Sequence, residues 1–377
     1  MAKLIINNLN KVFSVKFGKN VHAVKDFNLN LEDGEILALL GSSGCGKTTT
    51  LRIVAGFESP TSGEIRFDDR DMIALPPSKR NVAMAFEGYA LYPPLTVKDN
   101  ISFGLMREKL SKSEIEKKVK EITELLEITD ILHRYPSTVS GGQAQRVSLA
   151  RALVRTSDIL LLDEPMSQLE PQLRAVLRAR VKDYIQHNNK TSVFVTHDQT
   201  EAIALADKIA VMEGGELQQL ASPYDIRVKP QNVFVASFIG EPPMNMLNAV
   251  YQDEGDKINF LIKNENNENA FTLSYNKTSI DQSKIINLQN NQNLVIGIRP
   301  QKINFDSTDV NHNANISLTS NHWLGDQIHL GFELNGINII GVADRNFSVS
   351  NSMKINFASS SINAFDSSSQ KVIFNGF

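Results

Sequence analysis

At 377 residues the chain can build two separately cored domains, and 39 basic against 42 acidic side chains leave a formal net charge of −3. That balance, with no lysine or arginine block, argues against a charge-driven nucleic-acid function, and no run of about 18 apolar residues offers a membrane-crossing helix. Cys45 is the only cysteine, so disulfides and cysteine-based zinc sites are excluded, as suits a reducing cytosol.

In chain order, the stretch Met1 to Phe13 lacks a signal-peptide core. The apolar run Glu35 to Leu40 predicts a strand, and a helix with Leu51, Val54 and Ala55 on one side follows. Between them lies Gly41-Ser42-Ser43-Gly44-Cys45-Gly46-Lys47-Thr48, followed by Thr49. A glycine-rich turn entering a helix aims free backbone N–H groups and the positive dipole end at one point, which suits a phosphate. Lys47 can reach outer phosphates and the Thr48 hydroxyl can ligate Mg²⁺, so the expected ligands are a nucleoside triphosphate and Mg²⁺. Cys45, among N–H groups and beside Lys47, is expected to be a reactive thiol.

A capping box at Ser111 and Glu114 predicts a helix over Lys112 to Leu126, with Ile115, Val119, Ile122 and Leu126 at helical spacing. Ser140-Gly141-Gly142-Gln143 opens another helix and offers a second anion-binding N-terminus. One ATPase site does not need two such binders, and a head-to-tail dimer explains the second. Ile159 to Pro165 reads as a buried apolar strand ending in two carboxylates, Asp163 and Glu164. Asp163 would hold Mg²⁺ through its water shell, and Glu164 could orient and deprotonate an attacking water. A further helix is expected over Pro171 to Gln186. Composition shifts at Glu241-Pro242-Pro243, after which short alternating strands dominate. Their clearest signal is Asn335-Gly336 between the alternating runs 328–334 and 337–339, a hairpin.

These motifs, in this order with Val195-Thr196-His197-Asp198, resemble the nucleotide-binding subunit of an ABC transporter over about residues 3 to 240. The resemblance implies an α/β P-loop ATPase domain at 1–240 with a helical subdomain at about 88–155. It makes His197 the switch histidine that contacts the γ-phosphate and the attacking water, places Phe13 on adenine with Phe17 close by, and puts Glu87 among the Mg²⁺ ligands with Thr48 and Asp163. Residues Met84 to Pro93 resemble the segment that meets a transmembrane partner. Gly297-Ile298-Arg299-Pro300 and Pro242-Pro243-Met244-Asn245 resemble the all-β, OB-like regulatory domain of maltose-type importers, here 241–377.

The implied function is ATP hydrolysis powering import of a carbohydrate or polyol. Its partners would be two permease subunits, a solute-binding protein and a second nucleotide-binding domain, identical or related, with no nucleic acid. The location would be the cytoplasmic face of the cell membrane, peripherally. Glu87 stands where the family has glutamine, Glu170 where it has aspartate, and Val139 where it has leucine. The first two changes leave open a regulatory subunit of a heteromeric ATPase pair, and a soluble ABC ATPase acting on nucleic acid or ribosomes is the other alternative.

Overall fold

The computed structural model describes residues 2–14, 18–305, 311–312, 316–349 and 354–376. Its contacts divide the chain into two units, Met1–Pro223 and Tyr224–Phe377. The expected boundary near 240 falls downstream of this division, beyond two short helices.

The first unit is built on β1 (Leu4–Phe13), β2 (Val21–Leu31), β3 (Ile36–Gly41), β4 (Ser62–Phe67), β5 (Arg70–Asp71), β6 (Val82–Ala85), β7 (Ile159–Asp163), β8 (Ser192–Thr196), β9 (Lys208–Glu213) and β10 (Glu216–Ala221). They form one sheet in the order β5-β4-β1-β2-β10-β9-β3-β8-β7-β6. Strands β6, β7, β8, β3 and β9 are parallel, whereas β1 pairs antiparallel with β2 and β4. Every residue of β3, β7 and β8 is buried, the pattern of strands covered on both faces.

Helix α1 (Lys47–Ala55) follows β3 directly. Between β6 and β7 the described residues form helices and turns only, with α2 (Val97–Phe103), α3 (Lys112–Leu125) and α4 (Gly141–Leu153). The Ser111–Glu114 capping box is present at α3, and Arg146 of α4 donates to the Leu126 carbonyl at 2.9 Å, tying the end of α3 to α4. Helix α5 (Pro171–His187) buries Leu177, Val181 and Ile185, and α6 (Gln199–Leu205) is capped by Asp198.

The second unit begins with α7 (Pro223–Val228, its first residue at the division) and α8 (Val233–Phe238). Its strands are β11 (Asn245–Glu254), β12 (Lys257–Lys263), β13 (Asn269–Asn276), β14 (Asn293–Ile298), β15 (Ile303–Phe305), β16 (Ile316–Trp323), β17 (Gln327–Leu334), β18 (Ile337–Asp344), β19 (Ile355–Phe357), β20 (Ile362–Asp366) and β21 (Val372–Asn375). They make sheets β13-β12-β11-β14-β20-β21, β16-β17-β18 and β15-β19 around one apolar core that includes Phe260, Phe271, Phe332 and Phe357. This all-β arrangement is consistent with an OB-like domain.

The hairpin falls where Asn335-Gly336 places it: both residues have positive φ, and Ile328, Leu330, Phe332 and Leu334 are buried on one face. The two motifs read as regulatory touch one another. A Cβ on Gly297 would lie 2.4 Å from the Met244 sulfur, and the Asn245 amide donates to the Ile298 carbonyl at 3.2 Å. Arg299 is buried and donates to the carbonyls of Ala236, Ile239 and Arg227, fastening α7 and α8 to the β structure.

Candidate active site

Strand β3 delivers the chain into the glycine-rich loop, and two close approaches explain its glycines. A Cβ on Gly41 would lie 2.2 Å from the Met212 carbonyl oxygen, and one on Gly46 2.2 Å from that of Ala23. Gly46 is also the N-cap of α1 at φ 106°, a conformation only glycine adopts freely. The Lys47 ammonium is buried and donates to the carbonyls of Gly41 and Ser42, each at 2.8 Å. Ser42 donates to the Glu213 carboxylate at the end of β9. Ser43, Gly44 and Thr48 are exposed and Thr49 is half-buried.

Cys45 corrects the sequence expectation. Its side chain is turned into the core, and burial pushes the thiol pKa up despite Lys47, whose Nζ lies 3.7 Å from the sulfur. Desolvation of a thiolate outweighs the nearby cation.

At the carboxyl ends of β7 and β8 two side-chain pairs form, Thr48 with Asp163 and Glu164 with His197. The Thr48 hydroxyl donates to Asp163 Oδ1 at 3.2 Å. Burial first, and then the negative charges of Glu87 and Glu164, push the Asp163 carboxyl up to about 6 against the opposing Thr48 hydrogen bond. Glu164 sits just beyond β7 at φ 48°, strained for a residue with a Cβ, and its N–H donates to the Val195 carbonyl at 3.1 Å. His197 Nδ1 stands 2.9 Å from Glu164 Oε2, with the imidazole outward and the carboxylate inward.

The other sequence candidates make none of these contacts, although the charge of Glu87 reaches Asp163. Ser140 caps α4 by accepting from the Gln143 N–H at 3.3 Å, and Gln143 Oε1 accepts from the Ser140 N–H at 3.0 Å. Ser140 and Gly141 are exposed, and Gly142 and Gln143 are half-buried. Phe13 ends β1 with its ring partly exposed, and Lys11 Nζ lies 4.7 Å from the ring centroid. Phe17 lies outside the described residues. Glu87 is exposed in the turn after β6, and Glu170 is the N-cap of α5 without a side-chain cap hydrogen bond.

In the segment 84–93, Tyr92 and Ala90 are exposed while Tyr89 and Leu91 are half-buried. Arg151 holds this segment by donating to the Ala90 and Tyr89 carbonyls, at 2.8 and 3.0 Å. Beside it lies a cavity of about 450 Å³ lined by Phe57, Met84, Phe86, Tyr92, Phe103 and Met106 among others.

Sequence reasoning assigned no role to Gln145, Arg174 or Glu213. Gln145 lies two residues beyond Gln143, but nothing in the sequence says what its amide touches, since its partners are nineteen to twenty-three residues away.

The hydroxyl, aspartate and nearby glutamates are hard oxygen donors of the type Mg²⁺ takes. Among the described residues no three acidic, histidine or cysteine side chains converge tightly enough to hold a metal alone. That suits Mg²⁺, which binds through one or two carboxylates plus phosphate oxygens and water.

The parallel sheet, glycine-rich loop and paired carboxylates define a P-loop ATPase of the ATP-binding cassette class. The ABC transporter family matches residues 24–167. An uncharacterised ABC transporter ATP-binding protein of Bacillus subtilis, YurJ, is 39% identical over 361 residues, 91% of this chain and 94% of the relative. The trehalose/maltose import ATP-binding protein MalK of Thermococcus litoralis is 48% identical over 245 residues, 63% of this chain and 66% of the relative. The xylose/arabinose import ATP-binding protein XacK of Haloferax volcanii is 46% identical over 250 residues, 66% of this chain and 65% of the relative. Against these two sugar-import relatives the matched region thus spans just under two thirds of their length. A dimeric structure of the ATP-binding cassette MJ0796 with ADP and Pi has TM-score 0.54 and 28% identity, covering 58% of this chain and 98% of that one. The chain belongs to the ATP-binding proteins of ABC transporters and is an ATPase of the transport-coupled type.

Proposed function

We propose that this chain is the energising subunit of a carbohydrate or polyol importer. In that assembly it serves two permease subunits and a solute-binding protein from the cytoplasmic face of the membrane. The observation that carries the catalytic part is the pairing of Thr48, in the first turn of α1, with Asp163 and of Glu164 with His197 at the ends of β7 and β8. Support for the cargo class comes from the sugar-import relatives, and the paired nucleotide domains are supported by the dimeric cassette structure. Among the described residues no helix is long and apolar enough to cross a membrane.

In the proposed mechanism the loop N–H groups and Lys47 hold the phosphates of ATP, and Phe13 stacks on adenine. Thr48, Asp163 and Glu87 would hold Mg²⁺, which would supply charge neutralisation for the phosphates. Glu164, the candidate base, takes a proton from the attacking water as oxygen bonds to the γ-phosphorus and ADP leaves. His197 orients Glu164 and that water. Ser140, Gly141, Gly142 and Gln143 meet the γ-phosphate bound by the second subunit, so two sites form when two chains close head to tail.

Purification of the full chain from detergent-solubilised membranes tests the importer reading. Co-purification of two membrane-spanning subunits, with turnover stimulated by a sugar-loaded binding protein, is expected. Recovery with ribosomes or nucleic acid instead would contradict it.

A further inference from the structure

Gln145 lies on α4 five residues beyond the Ser140 cap, and it is buried. Its amide Nε2 donates to the Glu164 carbonyl at 2.8 Å and approaches Ser167 Oγ at 3.1 Å, while Oε1 accepts from the Gln168 N–H at 2.9 Å. Ser167 donates to the same Glu164 carbonyl at 3.2 Å. One carboxamide therefore clasps the loop after β7 at both ends, beginning at the residue whose backbone is strained to φ 48°. Such strain persists only where surrounding contacts over-determine it.

Contact between α4 and the loop is also steric. A Cβ on Gly142 would lie 3.1 Å from the Gln168 carbonyl oxygen, so the first turn of α4 rests against the loop backbone. From the other side Arg174 of α5 donates to the carbonyls of Ser167 and Leu169, at 3.2 and 3.0 Å, and meets Asp198 at 3.5 Å. The loop is held between two helices, and displacement of α4 must reach Glu164.

We infer that Gln145 is a positioning residue that couples phosphate seating at the N-terminus of α4 to the geometry of Glu164 in the same chain. This rests on the reading of Glu164 as the base. Because α4 meets the second subunit's nucleotide, each base is aligned only when the opposite site is filled. A leucine at 145 would fill the space yet leave the Gln168 N–H without its acceptor and the Glu164 carbonyl with one donor fewer.

The test uses the full chain with Gln145→Leu, Gln145→Glu, Ser167→Ala, Glu164→Gln and the double variant Gln145→Leu/Glu164→Gln. Gln145→Leu is expected to lower kcat by about 10–100-fold while KM for ATP and the affinity for a fluorescent ATP analogue stay within about twofold. In the Glu164→Gln background it should cause no further loss, because both changes act on one group. Gln145→Glu and Ser167→Ala, read by the same kcat-against-KM split, carry the test if the leucine variant does not fold. The inference is overturned if kcat stays within about threefold of the parent, if nucleotide affinity falls in proportion, or if the double variant loses activity multiplicatively. Undiminished turnover of Glu164→Gln alone would instead remove the base assignment, and this inference with it.

Discussion

Asp163 carries the largest electrostatic tension in the site. Its carboxyl is raised from 3.8 to about 6, chiefly by burial, so the folded chain binds that proton more tightly than the unfolded one. Both states are protonated below about pH 4, and both are ionised above about pH 6 to 7. The cost of holding a buried carboxylate therefore grows as pH rises between these limits and persists above them. Asp163→Asn in chelator-containing buffer should raise stability by about 2 kcal/mol at pH 8, with the gain vanishing near pH 4. Thermal unfolding at the two pH values checks this, and an equal gain at both would refute it. Glu87 adds to the same tension through its charge. Glu87→Gln should raise the Mg²⁺ concentration for half-maximal turnover several-fold, and an unchanged Mg²⁺ titration would place Glu87 outside the metal's reach.

Among elements, what was legible in the sequence was what local spacing encodes. Strand, loop and α1 follow from the apolar run and the glycines, and α3 from its capping box, ending one residue before the expected Leu126. The hairpin followed from Asn335-Gly336. The direction of the Cys45 side chain was not encoded locally, because it depends on packing against strands distant in sequence. Gln145 and Arg174 were hidden for the same reason: their partners meet only once α4 and α5 flank the loop after β7. Arg299 was visible as part of a motif but not as a clasp for helix ends. Arg299→Leu should leave three carbonyls short of a donor, at about 1–3 kcal/mol for each that stays dry. Thermal denaturation should show a destabilised second unit, while fluorescent ATP binding by the first unit is retained.

For the whole molecule, the division at Pro223 makes a prediction that the expected boundary near 240 does not. A chain ending at Pro223 keeps every residue proposed to act on ATP, and it should bind nucleotide. One ending at Gly240 retains α7 and α8 without Arg299, leaving Ala236, buried in the full chain with Met244, Val295 and Phe365, without its cover. The shorter chain should therefore be the more soluble of the two, as read by light scattering at equal concentration. The reverse order would move the boundary downstream.

The central claim is that Glu164, held at the end of β7 beside His197 and Asp163, takes the proton from the attacking water. Phosphate release by the full chain under saturating Mg²⁺ and ATP, compared between parent and Glu164→Gln, tests it most directly. The account predicts a loss of about 10²–10⁴-fold with ATP retained in a closed dimer. Phosphate release at the parental rate would contradict it.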